Sequence, residues 1–336
     1  MPKASSAKPQ KTGAKQRAIQ RQVDAKTATK SAKAAGKGKK NGKSAEEKPM
    51  QAGARRYPEP PMPAQHLQKP GKEAVLDLQP MYDAPFYKGS GKLDGMTALI
   101  TGGDSGIGRS VAVLYAREGA DIAIVYLEEH EDAEETKRAV EAEGRRCMLI
   151  DGDVKDRDFC FDAVERVVDE FGQLDILVNN AAFQIHTVEF EEITDEQFDE
   201  TLKTNLYGYF HMAQAAATHI REGGSIVNCG SVTGIEGNKD LIDYAMTKGG
   251  IHAFTKSLAG HLIPKGIRVN AVAPGPVWTP LNPADKPAEK VKEFGAHSKM
   301  KRPAQPEEIA PAFVFLASPQ MSSYITGEIL PVIGGY

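Results

Sequence analysis

Short apolar runs alternate with longer amphipathic segments along residues 93–336 of this chain. The runs are continuous and bounded by turn residues, which is typical of strands buried on both faces. Strands that alternate with helices predict a parallel sheet with helices on both sides. The pattern therefore predicts one doubly wound α/β domain with seven strands, at residues 98–101, 122–126, 147–150, 176–178, 225–228, 269–273 and 328–332.

Residues 1–56 lack this pattern. They hold sixteen basic and three acidic residues, a net charge of +13, whereas the whole chain carries −3. Ile19, Val23 and Met50 are almost the only large apolar side chains, too few to offset the entropy of ordering. We predict a disordered, Lys/Ala-rich basic tail. It could solubilise the protein, bind nucleic acid, another polyanion or an anionic membrane surface, or fold back on the acidic remainder.

Residues 57–92 form a proline-rich segment with the aromatic residues Tyr82, Phe86 and Tyr87. Prolines favour an extended chain, and the aromatic rings supply area to bury. We expect an arm that packs on the domain at 93–336 or on a neighbouring subunit. A cleaved targeting peptide is not expected before it, because the tail has no apolar core and contains more lysine than arginine.

A glycine-rich turn follows the first predicted strand and precedes an amphipathic helix. In this context, glycines let the backbone approach a pyrophosphate, and the helix N-terminus supplies N–H donors. A tight turn without a ligand is the alternative. The candidate phosphate-binding residues are Gly102, Asp104, Ser105, Gly106, Ile107 and Gly108.

Tyr244 and Lys248 are four positions apart, and Ser231 lies thirteen residues before the tyrosine. On a helix this spacing places the ammonium and the phenol on one face. A nearby cation favours the phenolate and would lower the tyrosine pKa from about 10 toward the range useful for proton transfer. The same spacing also occurs by chance on helices that carry no chemistry.

Together with other motifs, these residues resemble the short-chain dehydrogenase/reductase family over residues 93–336. The further motifs are Asp153-Val154, Asn179-Asn180-Ala181-Ala182, Asn205 and Pro274-Gly275-Pro276-Val277-Trp278-Thr279. The resemblance implies a Rossmann fold and NAD- or NADP-dependent hydride transfer between an alcohol and a carbonyl compound. It implies catalytic roles for Asn205, Ser231, Tyr244 and Lys248. Ala182 departs from the family, which usually has glycine there.

The same resemblance implies individual roles. Ser231 would steady the substrate carbonyl, Tyr244 would exchange a proton with it, and Lys248 and Tyr244 would hold the ribose of the cofactor. Asn205 would position a water that links Lys248 to solvent. It also implies a homo-oligomer, a dimer or tetramer. Further cofactor contacts are expected at Tyr126, Asp153, Val154, Asn180, Ala181, Pro274, Gly275, Val277 and Thr279, where Asp153 would accept from the adenine amino group or instead cap the following helix.

The choice between NAD and NADP depends on the end of the second strand, where an acidic residue selects NAD and an arginine accommodates a 2′-phosphate. Tyr126 and Leu127 occupy this position, and Glu128, Glu129 and Glu131 follow. Their charge slightly favours NAD. Alternatively, these glutamates only begin the next helix, where acidic side chains suit the helix dipole.

The substrate is expected to contact residues 183–186, 232–243 and 278–302, the last folding over the site. A polar rim suits a sugar, a polyol or a small aldehyde or ketone, although solvent exposure alone would also explain polarity. The motifs are similar to those of family members that act as glucose/ribitol dehydrogenases and aldehyde reductases. The rim residues are Gln184, His186, Glu236, Asn238 and Lys239.

Three cysteines without a CxxC pair predict buried thiols rather than disulfides, and the histidines have no metal-ligand spacing. No apolar run is long enough to span a bilayer, so we expect a cytoplasmic protein. Two other functions stay open. The domain could sense a dinucleotide without turnover, or the tail could make the chain a polyanion-associated protein.

Overall fold

One sheet of seven parallel strands organises the domain. The computed structural model describes residues 7–34 and 48–335. All seven predicted strands are confirmed, and with them the doubly wound Rossmann fold. The strands are β1 (Thr97–Thr101), β2 (Asp121–Tyr126), β3 (Cys147–Asp151), β4 (Leu174–Asn179), β5 (Ile220–Cys229), β6 (Arg268–Pro274) and β7 (Ile329–Val332).

The spatial order of the strands is β3-β2-β1-β4-β5-β6-β7. The order therefore reverses between β1 and β4, where Leu99 lies beside Leu177. In such sheets the crevice for a ligand opens at the carboxyl ends of the strands beside this reversal. The sequence motifs at Thr101 and Asn179 both fall there.

Helices cover both faces of the sheet, as the continuous apolar strands require. Helices α2, α3 and α10 pack on one face, and α4, α6 and α8 pack on the other. Among the described residues, no helix is both long and apolar enough to cross a membrane. The helices are α1 (Ala7–Ala34), α2 (Gly106–Arg117), α3 (His130–Ala142), α4 (Arg157–Phe171), α5 (Asp195–Leu202), α6 (Gly208–Ala216), α7 (Thr233–Glu236), α8 (Ile242–Leu262), α9 (Ala288–Val291), α10 (Pro306–Ala317) and α11 (Pro319–Ser322).

The proline-rich arm packs on the domain of its own chain. Its backbone bonds to the segment after β6: Met62 N donates to Lys292 O, and the indole of Trp278 donates to Leu78 O at 2.8 Å. Met62, Leu76 and Trp278 form a small buried cluster. The arm therefore extends the core around the C-terminal third of the domain.

The end of the arm is held by Glu118, at the C-terminus of α2. Its buried carboxylate accepts from the Tyr87 hydroxyl, from Ser90 N at 2.9 Å and from Lys92 N at 3.0 Å. Burial opposes the charge, but these hydrogen bonds outweigh it and lower the pKa of Glu118 to about 2.

Helix α1 departs from the predicted disorder. Alanine, lysine and glutamine favour helix, and one face of α1 finds a surface to bury. Ile19 packs on Phe183 and Ile185, and Lys15 pairs with Glu200 at 3.1 Å. The segment 7–34 thus folds back on the acidic body, one of the three alternatives above. Residues 1–6 and 35–47 of the predicted tail lie outside the described residues.

Candidate active site

A cavity of about 390 Å³ opens at the carboxyl ends of the strands. Of the predicted cofactor residues, all but Gly108 line it, as do three of the four predicted catalytic residues. Asn205 lies behind its wall, fully buried. The lining residues from the prediction are Gly102, Asp104, Ser105, Gly106, Ile107, Tyr126, Asp153, Val154, Asn180, Ala181, Ser231, Tyr244, Lys248, Pro274, Gly275, Val277 and Thr279.

The glycine turn between β1 and α2 has the shape of a phosphate cradle. Gly102 and Gly106 have φ of +62° and +50°, a region that L side chains rarely adopt. A Cβ on Gly108 would lie 1.9 Å from Gly102 O, so α2 can begin this close to β1 only with glycine. Backbone donors at a helix N-terminus bind anions, and this turn therefore fits a dinucleotide pyrophosphate.

A buried acidic cluster supports the turn from the side of the arm. Glu73 accepts from Gly106 N at 2.7 Å and pairs with Arg109, which is also buried beside Asp132. Burial raises the pKa of Glu73 to about 7 against the effect of Arg109, and burial raises that of Asp104 to about 6. Sequence reasoning missed Glu73 because it lies 33 residues from the turn that it contacts.

Tyr244 and Ser231 meet at the floor of the cavity. Helix α8 carries the tyrosine, and Ser231 follows β5, so the sheet brings the two side chains together. Burial raises the pKa of the Tyr244 phenol well above its usual value, and the neighbouring Ser231 hydroxyl opposes this. The phenol is therefore protonated at neutral pH in this structure.

The expected effect of Lys248 on the tyrosine pKa is wrong for this structure. Its Nζ donates to Cys229 O at 2.7 Å and lies 5.4 Å from the centre of the Tyr244 ring. The helical spacing brings the ammonium beside the ring, but its bond points to the β5 carbonyl. Burial lowers the pKa of Lys248, while that of the phenol is raised.

Asn205 fixes the chain after β4. Its Oδ1 accepts from Phe183 N at 2.8 Å, and its Nδ2 donates to Phe183 O and Thr247 Oγ1. It sits in a π-helical turn at Lys203–Tyr207, a distortion frequent at functional sites. Asn205 thereby connects the wall of the cavity to the helix that carries Tyr244.

Asp153 faces the end of the cavity beside β2 and β3. Its Oδ2 accepts from the Thr12 hydroxyl, and its Oδ1 accepts from Lys155 N at 3.0 Å. The alternative that Asp153 caps the following helix is wrong, because the Asp156 side chain caps α4. Nearby, burial and the charge of Asp104 raise the pKa of Glu129 to about 8.

A charged cluster lies on the opposite side of the cavity, where the substrate is expected. Asp285 accepts from His186 and from Gln184 Nε2, and Lys286 Nζ lies 2.7 Å from His186 Nε2. Despite burial, His186, Lys69 and Lys286 hold the pKa of Asp285 well below its usual range. Of the predicted rim, Gln184, His186 and Asn238 line the cavity, whereas Glu236 and Lys239 are exposed outside it.

The predicted cover over residues 278–302 supplies Leu281, Lys286 and Phe294 to the wall. Sequence reasoning missed the parts of the wall that precede β1: Thr12 and Gln16 of α1, and Pro70 and Gly71 of the arm. A signal for α1 existed, since Thr12, Gln16, Ile19, Gln20 and Val23 recur at helical spacing.

The model of a family described as enoyl-(acyl carrier protein) reductase matches residues 102–336. The general stress protein 39 of Bacillus subtilis is 53% identical over 82% of this chain and 96% of its own. The glucose and ribitol dehydrogenase of Daucus carota is 47% identical, and the chloroplastic NADPH-dependent aldehyde reductase 1 of Arabidopsis thaliana is 46% identical. Each of these two alignments covers 81% of this chain and 96% of the relative.

Solved structures share the fold. A short-chain dehydrogenase from Burkholderia cenocepacia in complex with NADP superposes with a TM-score of 0.68 at 36% identity, over 73% of this chain and 98% of the other. A short-chain dehydrogenase from Mycobacterium paratuberculosis bound to NAD gives a TM-score of 0.66 at 32% identity, with the same coverage.

Proposed function

Because this chain belongs to the short-chain dehydrogenase/reductase family and is an oxidoreductase of alcohol and carbonyl groups, we propose that Tyr244 is its general acid and base, with Ser231 and Lys248 beside it. The observation that carries this proposal is the buried Ser231–Tyr244 pair on the floor of the cavity that the glycine turn opens into.

NAD(P)(H) would be held by the glycine turn at its pyrophosphate, by Asn180 and Asp153 toward the adenosine, and by Thr279 toward the nicotinamide. When bound, it supplies or accepts the hydride at the substrate carbon. Ser231 and Tyr244 hold the substrate oxygen between two hydroxyl groups. In reduction, the phenol gives its proton to this oxygen and becomes a phenolate; in oxidation, the phenolate takes the proton back.

We assign Lys248 and Asn205 supporting roles. The Lys248 ammonium, held by Cys229 O beside the Tyr244 ring, would hold the ribose of the cofactor. Asn205 bonds both residue 183 and Thr247, and so fixes the position of α8 relative to the cavity wall.

A hydroxylated substrate, a sugar or polyol, or a small aldehyde or ketone fits the polar side of the cavity. Gln184, His186, Asn238 and Lys286 offer both donors and acceptors there. Relatives named for glucose, ribitol and aldehydes support this class. A cytoplasmic location is proposed with it.

Both NAD(H) and NADP(H) are candidate cofactors, since relatives with this fold were solved with each. Glu128 and Glu129 at the end of β2 favour NAD(H). That preference is reduced by the raised pKa of Glu129, whose carboxyl is largely neutral below pH 8.

The test is the variant Tyr244→Phe, which keeps the ring and removes the proton. We expect turnover to fall at least about a hundredfold, with the Kd of the reduced cofactor unchanged. Turnover is measured with NADH and NADPH on a panel of aldehydes, ketones, sugars and polyols. Tyr324→Phe is the matched control, because that side chain is fully exposed.

Equal turnover of Tyr244→Phe and the unmodified chain would refute the assignment. Cofactor binding without turnover on every substrate would favour the dinucleotide sensor instead.

A further inference from the structure

Helix α1 roofs one end of the cofactor cavity. Thr12 and Gln16 line it together with Tyr126, Leu127 and Asp153, the residues at the ends of β2 and β3. This is the end at which the adenosine half of a dinucleotide binds in such folds. The roof comes from a segment that lies before the arm and outside the residues that the family model matches.

Buried contacts hold α1 in this position. The Gln20 amide donates to Leu67 O at 2.8 Å and to Ala284 O at 3.0 Å, and it accepts from Lys69 N at 2.9 Å. Gln16 donates to Glu200 Oε1 at 3.1 Å, and Ile19 is only 4% exposed. These side chains are amides and hydrocarbon, so the docking does not depend on charge alone.

One cation of α1 is seated at the end of β2. Arg17 Nη1 pairs with the Glu128 carboxylate and also donates to Lys69 O at 3.1 Å. Gly13 lies next to the same carboxylate, and a Cβ there would be 2.3 Å from Glu128 Oε1. The absence of a side chain at Gly13 lets Glu128 stand close under the helix, within reach of Arg17.

Glu128 follows Leu127, which lines the cavity at this end, so its carboxylate brings a negative charge close to the adenosine half of the site without itself lining the wall. An acidic group at this strand end accepts from a ribose 2′-hydroxyl but repels a 2′-phosphate, which an arginine accommodates. The phosphate carries nearly two negative charges at neutral pH. The guanidinium of Arg17 beside Glu128 therefore cancels the negative charge that would repel the 2′-phosphate.

We propose that Arg17 sets the cofactor specificity: by neutralising Glu128, it allows the site to accept the 2′-phosphate of NADP(H). This inference rests on the proposed function, since it concerns the same cofactor. Specificity then resides partly in the N-terminal helix, and the catalytic domain alone would prefer NAD(H).

The experiment compares the full chain with Arg17→Gln, and measures the Kd of NADPH and of NADH from the fluorescence of the bound nicotinamide at one ionic strength. Arg17→Gln should weaken NADPH binding by on the order of tenfold, as expected for one uncompensated charge at close range. NADH binding should stay within about twofold. Arg21→Gln is the matched control, because Arg21 is exposed one turn further along α1.

The double variant Arg17→Gln/Glu128→Gln tests the neutralisation directly. With the carboxylate gone, the arginine is no longer needed, and NADPH affinity should recover to within about threefold of the unmodified chain. A double variant that stays as weak as Arg17→Gln would overturn the role of Glu128.

If Arg17→Gln weakened the binding of NADPH and NADH equally, the substitution would only have detached α1 from the domain. That result would refute the proposed role of Arg17 in cofactor specificity. An unchanged NADPH Kd would refute it as well. Failure of the unmodified chain to bind either cofactor would instead remove the proposed function, and this inference with it.

Discussion

A single carboxylate, Glu118, holds the last turn of the arm through four donors: the Tyr87 hydroxyl, Ser90 N, Lys92 N and Lys92 Nζ. Glu118→Gln removes the charge but keeps the size, and it should destabilise the protein by about 1–3 kcal/mol at pH 7. Because the folded pKa of about 2 lies below the ordinary value, this contribution is present above about pH 4.3 and is lost as the pH falls toward 2. Urea unfolding at several pH values measures it.

Glu141→Gln provides the control, since that carboxylate is half exposed on α3 and its ion pair with Lys137 spans 3.9 Å. Its stability should change by less than about 0.5 kcal/mol. A Glu118→Gln effect that persists unchanged at pH 3 would show that packing, and not charge, ties the arm to α2.

Site residues could be predicted from the sequence where the side chain itself carries the proposed chemistry. Tyr244 and Ser231 could be named from spacing, since a helix and a strand end bring them together in any fold of this kind. The partner of Lys248 could not, because Cys229 O is a backbone atom whose direction depends on the packing of α8 on β5. Burial, which raises the pKa of Tyr244, is likewise a property of the assembled core.

At the scale of elements, the glycine turn between β1 and α2 leaves the least space for an added side chain. Gly108→Ala would place a methyl group 1.9 Å from Gly102 O and 2.8 Å from the Asn180 amide nitrogen. Both neighbours are part of the cradle, so the turn must shift. We expect the Kd of NADH and NADPH to rise at least about tenfold, with a loss of stability of about 1–3 kcal/mol.

Gly260→Ala is the matched change, because Gly260 lies in α8 and a Cβ there would meet nothing within 4 Å. It should leave cofactor binding unchanged and stabilise the protein by up to about 1 kcal/mol through helix propensity. If both variants bound cofactor equally well, the close approach of α2 to β1 would have no functional role.

The strands could be predicted from sequence because each is an apolar run with turns at both ends. Helix α1 was missed although Gln16, Ile19 and Gln20 recur at helical spacing, because its basic composition predicts disorder. That spacing stabilises a helix only when a surface such as Phe183 and Ile185 is present to receive it. Composition describes a segment alone, whereas α1 is ordered by Phe183, a partner 164 residues after Ile19.

At the scale of the whole molecule, exposed apolar side chains gather on α6 and α8 and at the turn before α6. Tyr207, Phe210 and Met246 are 53%, 50% and 49% exposed. A patch of this kind marks an interaction site, and we predict a homodimer or homotetramer that buries it. Light scattering after size exclusion measures the mass, and Phe210→Asp should lower the mass of the assembly.

Phe190→Asp is the comparison, because Phe190 is equally prominent at 64% exposure but lies in the turn between β4 and α5. The mass of the Phe190→Asp assembly should equal that of the unmodified protein. A monomeric unmodified protein would contradict the prediction.

The arm has a further consequence for how the chain is made. Three of its contacts reach far along the chain: the Trp278 indole donates to Leu78 O, Met81 N donates to Gln305, and Ala84 N donates to Glu307. A ribosome adding about 5–20 residues per second needs on the order of tens of seconds to reach them. Until then these three contacts cannot form, so the arm is synthesised before the domain but is among the last segments to complete its native contacts.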